Sequence, residues 1–275
     1  MTSLAAPTLH PFDAAVALTA LGPDEFEGRT HADYANMVGP FGGITAAALL
    51  NAACLHPQRL GDPLAITVNY AGPVADGPFR IVARPARTNR STQHWVIEQR
   101  QGDAVCTTAT ALFGTRRDTW TTTEVPRPAV PPADEVAPRR SPIPLAWMQR
   151  YELRPVAGGV PDPQHATPQD DSITTLWIRD LPARPLDALS LVALSDNFYP
   201  RVFRRLGRAL PAGTISMTTY LHADAAALAA QGDRPVLGCA WGQQFGGGYF
   251  DQSAQIWAEQ GGLLASSHQL VYFKD

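Results

Sequence analysis

Lysine is almost absent from this sequence: of its 22 basic residues only Lys274 is a lysine, and the others are arginines. Chemistry that needs a lysine amine, such as a Schiff base or the phosphate cradle of a P-loop, is therefore not expected. Charged residues make up 17% of the 275 residues, and the formal net charge is −3. Because no strong basic field exists, we expect neither nucleic acid nor an anionic membrane as a partner.

Cysteine and long apolar runs are also scarce. Cys54, Cys106 and Cys239 lie far apart and fit no metal-binding or Cys-x-x-Cys spacing, which predicts small buried side chains in a reducing compartment. Apolar runs such as 44–50 fall far short of the roughly 20 residues that a membrane span needs. The first residues do not show the basic and apolar regions of a signal peptide. We therefore expect a cytoplasmic protein.

The familiar catalytic motifs are missing as well. The sequence has no Gly-x-Ser-x-Gly, no His-Glu-x-x-His, no Walker A motif and no dinucleotide-binding glycine pattern. None of the seven histidines pairs with another at metal-ligand spacing. A dispersed Ser/His/Asp triad stays open, because such triads are assembled in space and not in sequence.

Proline marks the main division of the chain. Eleven of the 25 prolines fall between Pro126 and Pro168. Because proline lacks an N–H group and restricts the residue before it, this stretch resists regular structure. We predict a partly extended surface connector over residues 119–168, between an N-terminal unit (1–118) and a C-terminal unit (169–275).

The two units share one order of elements: a strand, a long helix and four strands. In the N-terminal unit, the Ala- and Leu-rich segment 41–53 carries no charge, which predicts a buried helix. A second helix is predicted over 186–206. The expected strands are 65–70, 79–87, 94–101 and 104–113 in the first unit, and 173–179, 214–222, 235–243, 250–259 and 263–273 in the second.

The last hairpins of the two units also align with each other. Residues 99–108 parallel residues 258–267, and this alignment places Thr110 opposite Gln269. Such internal repetition predicts an α+β protein in which a sheet wraps a central helix, twice. The alternative is a single irregular α+β domain.

A glycine-rich turn, Gly39-Pro40-Phe41-Gly42-Gly43, opens the first helix. The free N–H groups and the positive end of a helix dipole attract an anionic group, including an acyl oxygen that gains negative charge. A tight strand-to-helix turn that needs glycine for its backbone conformation explains the same residues. The residues alone leave both interpretations open.

Asp196 stands out among the acidic residues, because it lies in the otherwise apolar stretch 189–200, which is predicted to be buried. A buried carboxylate is costly unless it is hydrogen-bonded, so Asp196 should be bonded or functional. Pro200 lies four residues later and cannot return a hydrogen bond to the Asp196 carbonyl, which predicts a break in the helix. The alternative is that Asp196 or Asn197 caps a second helix through Val202–Leu206.

Gln269 and Thr214 are polar residues of strands that should lie near this acid. Gln269 is a long amide in the final strand, and Thr214 opens the strand expected to face it. Each is also common as a purely structural side chain. Together with Asp196 they would provide an acceptor, a hydroxyl and an amide, which can hold a water molecule and direct it at a carbonyl.

In the order and spacing of its elements, the sequence resembles the double hot-dog thioesterases, the family of bacterial acyl-CoA thioesterase II. The resemblance covers residues 20–118 and 150–275. The segments that carry it are Gly39–Gly43, Arg87–Ser91, Tyr151–Arg154, Leu194–Phe198, Thr214–Ile215, Leu221–His222 and Leu264–Gln269.

The resemblance implies a catalytic trio. The family's aspartate, in the middle of a Ser-Asp-x-Asn-Phe-like segment, falls on Asp196; its threonine, followed by isoleucine, falls on Thr214. Its glutamine, four residues past the alanine of an Ala-Ser pair, falls on Gln269. In the family these residues bind the water that attacks the thioester. Thr218 is an alternative source of the hydroxyl.

The resemblance further implies that backbone N–H groups near Gly42 and Gly43, or of the opposing helix, stabilise the oxyanion. The chain departs from the family pattern at Ser216, Met217 and the loop Phe245–Gly248, which leaves the acyl group open. No metal or redox cofactor is implied, and the partner is an acyl-CoA substrate.

The sequence therefore predicts an acyl-CoA thioesterase of fatty acid metabolism with one competent site per chain and an oligomeric state left open, a homo-oligomer included. One alternative is a catalytically silent acyl-CoA-binding protein of the same fold. Another is a hot-dog hydratase or dehydratase, which would need a His–Asp pair on and beside the first helix; residues 42–54 contain neither residue.

Overall fold

Two helices, α2 and α3, lie against each other at the centre of the structure, a computed structural model that describes residues 9–141, 143–160 and 167–275. The helices are α1 (Pro11–Val16), α2 (Gly42–Leu55), α3 (Ala188–Leu194), α4 (Arg201–Leu206) and α5 (Ala225–Gln231), and 3-10 turns cover Ala32–Tyr34, Ala133–Glu135 and Trp147–Arg150. In the described part of the chain, no helix combines the length and the apolar character needed to cross a bilayer.

Helix α2 is buried on nearly every side. Gly43–Leu50 are all buried, and so are Ala52 and Ala53. A helix without a polar face is stable only inside a protein, where neighbouring elements cover all of it. Its alanines are small enough for those elements to approach closely. The structure thus confirms the buried first helix that the sequence predicts.

The second predicted helix is interrupted after Leu194, as the position of Pro200 predicts. Helix α3 begins with a capping box: the Asp187 carboxylate accepts the Ser190 N–H at 2.8 Å, and the Ser190 hydroxyl accepts the Asp187 N–H at 3.3 Å. Helix α4 begins directly after Pro200, which occupies its N-cap position. The alternative in which Asp196 or Asn197 caps the second helix is therefore wrong.

Within the described residues, thirteen strands form one antiparallel sheet that wraps these helices. The strands are β1 (Thr19–Ala20), β2 (Glu25–Arg29), β3 (Asp62–Tyr70), β4 (Pro78–Thr88), β5 (Thr92–Gln101), β6 (Ala104–Gly114), β7 (Tyr151–Ala157), β8 (Thr174–Asp180), β9 (Ala212–Leu221), β10 (Val236–Trp241), β11 (Phe245–Gly246), β12 (Tyr249–Trp257) and β13 (Leu263–Phe273).

The two halves of the sheet have the same topology. The order is β2–β4–β5–β6–β3 in the first half and β8–β10–β12–β13–β9 in the second, so the strand before each helix is the outer one and the strand after it is the inner one. The inner strands β3 and β9 pair antiparallel through Thr67 and Thr218. This arrangement confirms two tandem helix-in-sheet units, and the seam between them is an ordinary strand pair.

The predicted connector contains one strand that the sequence did not reveal. Strand β7 pairs with β8 through Tyr151 and Asp180 and forms the end of the C-terminal half of the sheet. The connector expected over 119–168 therefore does not separate the units along its whole length. Pro155 is tolerated in β7 because strands at a sheet edge need not donate every N–H.

The structure also matches the residues of the two halves differently from the sequence alignment of their last hairpins, which set Thr110 against Gln269. Thr110 is exposed, whereas Gln269 is 2% exposed, so the two side chains lie on opposite faces of the sheet. A one-residue slip exchanges the faces of a strand, which explains the error. The two halves have matching β-bulges, between Pro63 and Ala65 and between Leu270 and Val271. When the halves are aligned on these bulges, the residue equivalent to Gln269 is Ala111.

Candidate active site

Asp196 lies in the turn that follows α3, where three elements meet. Its Oδ1 accepts a hydrogen bond from Gln269 Nε2 at 3.0 Å, and the backbone N–H of Gly43 is near enough to lower the pKa of the carboxyl group. The acid packs closely on the N-terminus of α2: a methyl group added to Gly42 would lie 2.7 Å from Asp196 Oδ2. The contact explains why a glycine is needed at this end of the helix.

Gln269 links Asp196 to Thr214. The Thr214 hydroxyl donates to Gln269 Oε1 at 2.9 Å, while the amide nitrogen of Gln269 donates to Asp196. Because the amide accepts on one side and donates on the other, both bonds fix the same orientation of the Gln269 side chain. The structure thus brings the three residues into one hydrogen-bonded chain.

A β-bulge positions Thr214. Residues Met217 and Gln269 are directly opposite each other, but the register shifts before Thr214, which pairs with Val271. Gln269 and Val271 are both buried. The extra residue therefore turns Thr214 to the same face as Gln269, a face on which plain alternation along β9 would not have placed it.

Thr218 does not join this chain. It pairs with His268, which is exposed, and its hydroxyl bonds to the Thr67 hydroxyl at 2.9 Å across the seam between the halves. Of the two threonines that the sequence leaves as candidates, Thr214 is the one that bonds to Gln269.

Burial dominates the electrostatics of Asp196. It raises the pKa of the carboxyl group from 3.8 to about 7, and the hydrogen bonds from Gln269 and Gly43 lower that pKa without reversing the shift. A carboxylate in a poorly solvated place loses hydration energy, which favours its neutral form. Near neutral pH the group is thus divided between acid and base forms.

Aromatic residues form the apolar surroundings of this site. Phe41, the N-cap of α2, stacks on Trp147 with ring centroids 4.2 Å apart, and Tyr151 lies edge-on to Phe41 at 6.1 Å. All three are buried. Tyr151 is close enough to Asp196 for the acid to raise the pKa of its hydroxyl.

Tyr70 is a site residue that the sequence analysis missed. Its hydroxyl donates to the Gly42 carbonyl at 2.9 Å, and both burial and the neighbouring Asp196 raise the pKa of the phenol well above 10. Tyr70 thus stays neutral near pH 7 and acts as a donor. Nothing in the sequence distinguishes it from any other tyrosine at the end of a strand.

The glycine pair at the N-terminus of α2 is divided between two roles. The Gly43 N–H acts on Asp196, whose pKa it lowers. The first N–H groups of a helix lack intrahelical partners, which leaves that of Gly42 for a ligand. Across the described residues, no three His, Cys, Asp or Glu side chains cluster as a metal ion would require.

Two family models match consecutive parts of the chain. The acyl-CoA thioesterase N-terminal domain matches residues 31–114, and the acyl-CoA thioesterase C-terminal domain matches residues 123–273. The second match includes most of the predicted connector, in agreement with the place of β7 in the sheet. No protein of curated function matches the chain.

Solved structures show the same architecture. A protein of unknown function with a hot-dog fold from Alicyclobacillus acidocaldarius is 48% identical, with a TM-score of 0.93 over 98% of this chain and 99% of the other. An acyl-CoA thioesterase II from Mycobacterium marinum shares 17% identity and the fold, with a TM-score of 0.71 over 96% of this chain and 98% of the other. With both family models matched in order, this chain belongs to the acyl-CoA thioesterase family of tandem hot-dog proteins.

Proposed function

We propose that this protein hydrolyses an acyl-CoA thioester by direct attack of water, with Asp196 as the general base. The observation that carries the proposal is the hydrogen-bonded chain from Thr214 through Gln269 to Asp196, placed at the N-terminus of a buried helix. A general base needs a pKa near the working pH, and burial gives Asp196 a pKa of about 7.

In the proposed reaction, water attacks the thioester carbonyl carbon and gives one proton to Asp196. The C–S bond then breaks, and the leaving sulfur takes that proton to become the free thiol of CoA. The Gln269 amide has two N–H donors, and the one that is not used for Asp196 can hold the water. Thr214 fixes the amide in the required orientation.

The developing oxyanion would be stabilised at the N-terminus of α2. A 14-residue helix places partial positive charge at its first N–H groups, and a buried setting strengthens that interaction. Because the Gly43 N–H already acts on Asp196 and lowers its pKa, we assign the oxyanion to the N–H of Gly42. One helix end would thus serve both the base and the oxyanion.

The test is thiol release from a panel of acyl-CoA substrates by the wild type and by Asp196→Asn. Loss of a general base should lower kcat by roughly 10²- to 10⁴-fold with little change in KM, since the carboxylate acts on the water and not on the acyl chain. Asp180→Asn is the matched control, because Asp180 is a buried carboxyl group whose pKa is also raised to about 7.

Near-wild-type turnover in a folded Asp196→Asn protein would contradict the assignment of the base. A wild type that binds acyl-CoA but releases no thiol from any substrate would instead support the silent acyl-CoA-binding alternative. The panel would at the same time identify the acyl group, which the described geometry does not select.

A further inference from the structure

Arg201 is a fully buried arginine close to the proposed base in sequence. Its side chain is 0% exposed, and burial lowers the pKa of the guanidinium to about 10, so it remains a cation at neutral pH. Among the described residues, the groups that affect its pKa are Tyr199, Arg204 and Cys239, and none of them is a carboxylate. A buried cation without an acidic partner is costly and calls for another explanation.

Neutral oxygen acceptors surround this guanidinium. Nε and Nη2 both donate to the Tyr199 carbonyl, and Nε also donates to Gln252 Oε1 at 3.1 Å. Nη1 donates to the Ser172 carbonyl at 3.1 Å and to the Thr174 hydroxyl at 2.6 Å. The planar fork of arginine can join several acceptors at once, which a lysine amine cannot do with the same geometry.

Two of these acceptors, Tyr199 and Gln252, lie on or next to the elements that hold the candidate site. Tyr199 follows Asp196 by three residues, in the segment between α3 and α4. Gln252 lies directly opposite Gln269 in the β12–β13 pair, and both side chains are buried on the same face. Side chains in that relation are immediate neighbours. Arg201 therefore ties the segment that carries Asp196 to the strand beside Gln269.

We propose that Arg201 is a positioning residue that holds Asp196 and Gln269 in register with each other. A neutral apolar side chain would fill the same space at a lower desolvation cost, but it would not fix the Tyr199 carbonyl relative to Gln252. The role assigned to the site rests on the proposed function, whereas the contact between Asp196 and Gln269 does not.

The test compares Arg201→Lys and Arg201→Met with Arg205→Lys, a partly exposed arginine on the same helix. A small displacement of a catalytic group is costly, so we expect the Arg201 variants to lose roughly 10- to 100-fold in kcat with KM within about twofold. Arg205→Lys should leave both constants at their wild-type values.

The second readout is the pKa of Asp196, followed through its carboxyl carbon by NMR. Gln269 lowers that pKa by its hydrogen bond, so a misplaced Gln269 should raise it in the Arg201 variants. Of the groups that face Asp196, Gly43 and Gln269 are not titratable, and Tyr70 and Tyr151 remain neutral over the range because their pKa values are raised well above 10.

The outcomes separate this inference from the proposed function. If the wild type hydrolyses no thioester, the proposed function fails, but the shift in the Asp196 pKa still decides the role of Arg201. Should the Arg201 variants fail to fold, Gln252→Met removes the same link, and we expect a smaller rise in the Asp196 pKa. Folded variants with an unchanged Asp196 pKa, whatever their melting temperature, would overturn the proposal.

Discussion

Asp196, which is partly buried, and Asp180, which is 3% exposed, both have carboxyl pKa values raised to about 7, mainly by loss of hydration. Only Asp196 is bonded to an amide that a hydroxyl orients. Asp180 pairs across β7 and β8 with Tyr151, and its Oδ1 has no hydrogen-bond partner among the described residues. The two acids thus have pKa values raised by the same cause, but they differ in their hydrogen-bond contacts.

The raised pKa of Asp196 predicts the pH dependence of the reaction. The ionised form is the base, so kcat/KM should rise with pH and level off above a midpoint near 7. Steady-state rates between pH 5 and 9 would measure this rise of kcat/KM with pH. The Asp180→Asn protein should show the same rise. A limb centred near pH 4 would mean that Asp196 is not buried during the reaction.

The same shift predicts that Asp196 destabilises the fold at high pH. The carboxyl group binds its proton more tightly in the folded protein than in the unfolded chain. Its stabilising contribution to the free energy of unfolding is therefore complete below about pH 4 and is lost as pH rises through about 7. Asp196→Asn should therefore increase the free energy of unfolding by at least about 1 kcal/mol above pH 7.

Urea unfolding of both proteins at pH 5 and pH 8 would measure this effect, with a larger difference expected at pH 8. Equal stability at the two pH values in both proteins would contradict it. A gain in stability together with a loss of turnover is the combination expected when a charged group is kept for function.

The sequence singled out Asp196 because a carboxylate in an apolar segment demands an explanation, whereas Thr214 and Gln269 were assigned through the resemblance to the thioesterase family. It did not predict Tyr70 or Arg201. Tyr70 contributes through a bond to a backbone carbonyl, and Arg201 through acceptors up to 51 residues away. Such contacts depend on the packing of distant strands and leave no local pattern.

At the scale of elements, the start of α2 lies in close contact with the end of α3. A methyl group added to Gly43 would lie 2.7 Å from the Ala193 carbonyl of α3, a backbone atom that cannot move away alone. A methyl group on Gly42 would instead meet the side chains of Asp196 and Tyr70. Gly43 is therefore needed for the packing of the helices, and Gly42 for the geometry of the site.

This difference predicts distinct effects of two similar substitutions. Gly43→Ala should lower the free energy of unfolding by about 1–3 kcal/mol, because the contact overpacks two helices. Gly42→Ala should mainly reduce turnover, by displacing Asp196. Thermal melting and thiol release would measure both effects, with Gly72→Ala as the control, where the added methyl group meets nothing within 4 Å.

Equal losses of stability and activity in the Gly42 and Gly43 variants would contradict this division. It would mean that the end of the helix responds as one unit and that Gly42 has no separate part in the site.

Most elements could be predicted because their patterns are strong. Strand β13 has the predicted bounds, and α2 begins one residue after its predicted start. Helix α1 and helix α5 were not predicted, since each has only six or seven residues, too few for a clear helical pattern. Strand β7 was hidden by the prolines around it, which a sheet edge tolerates.

At the scale of the whole molecule, the two halves share a topology but not a complete site. The matching bulges place Pro63 where the second half has Thr214, and Ala111 where it has Gln269. Helix α2 contains no acidic residue. Neither a hydroxyl, an amide nor an acid is therefore available at the corresponding place of the first half.

We expect one binding site for acyl-CoA per chain. Titration calorimetry with a thioether analogue, which cannot be hydrolysed, should give a stoichiometry of one, and Asp196→Asn should retain it. Two equivalent sites per chain would contradict this expectation, because they would require the first half to bind substrate without any of these side chains.

The order of the strands has a further consequence for how the protein behaves at high concentration. The seam between β3 and β9 leaves the joined sheet with two outer edges instead of the four that separate sheets would have. One edge is the two-residue strand β1. The other is β7, which Pro155 interrupts and to which Arg139 binds through a backbone bond to Leu153. Short, proline-containing or covered edges offer a poor template to the edge of another molecule, so the fusion of the halves also protects against aggregation.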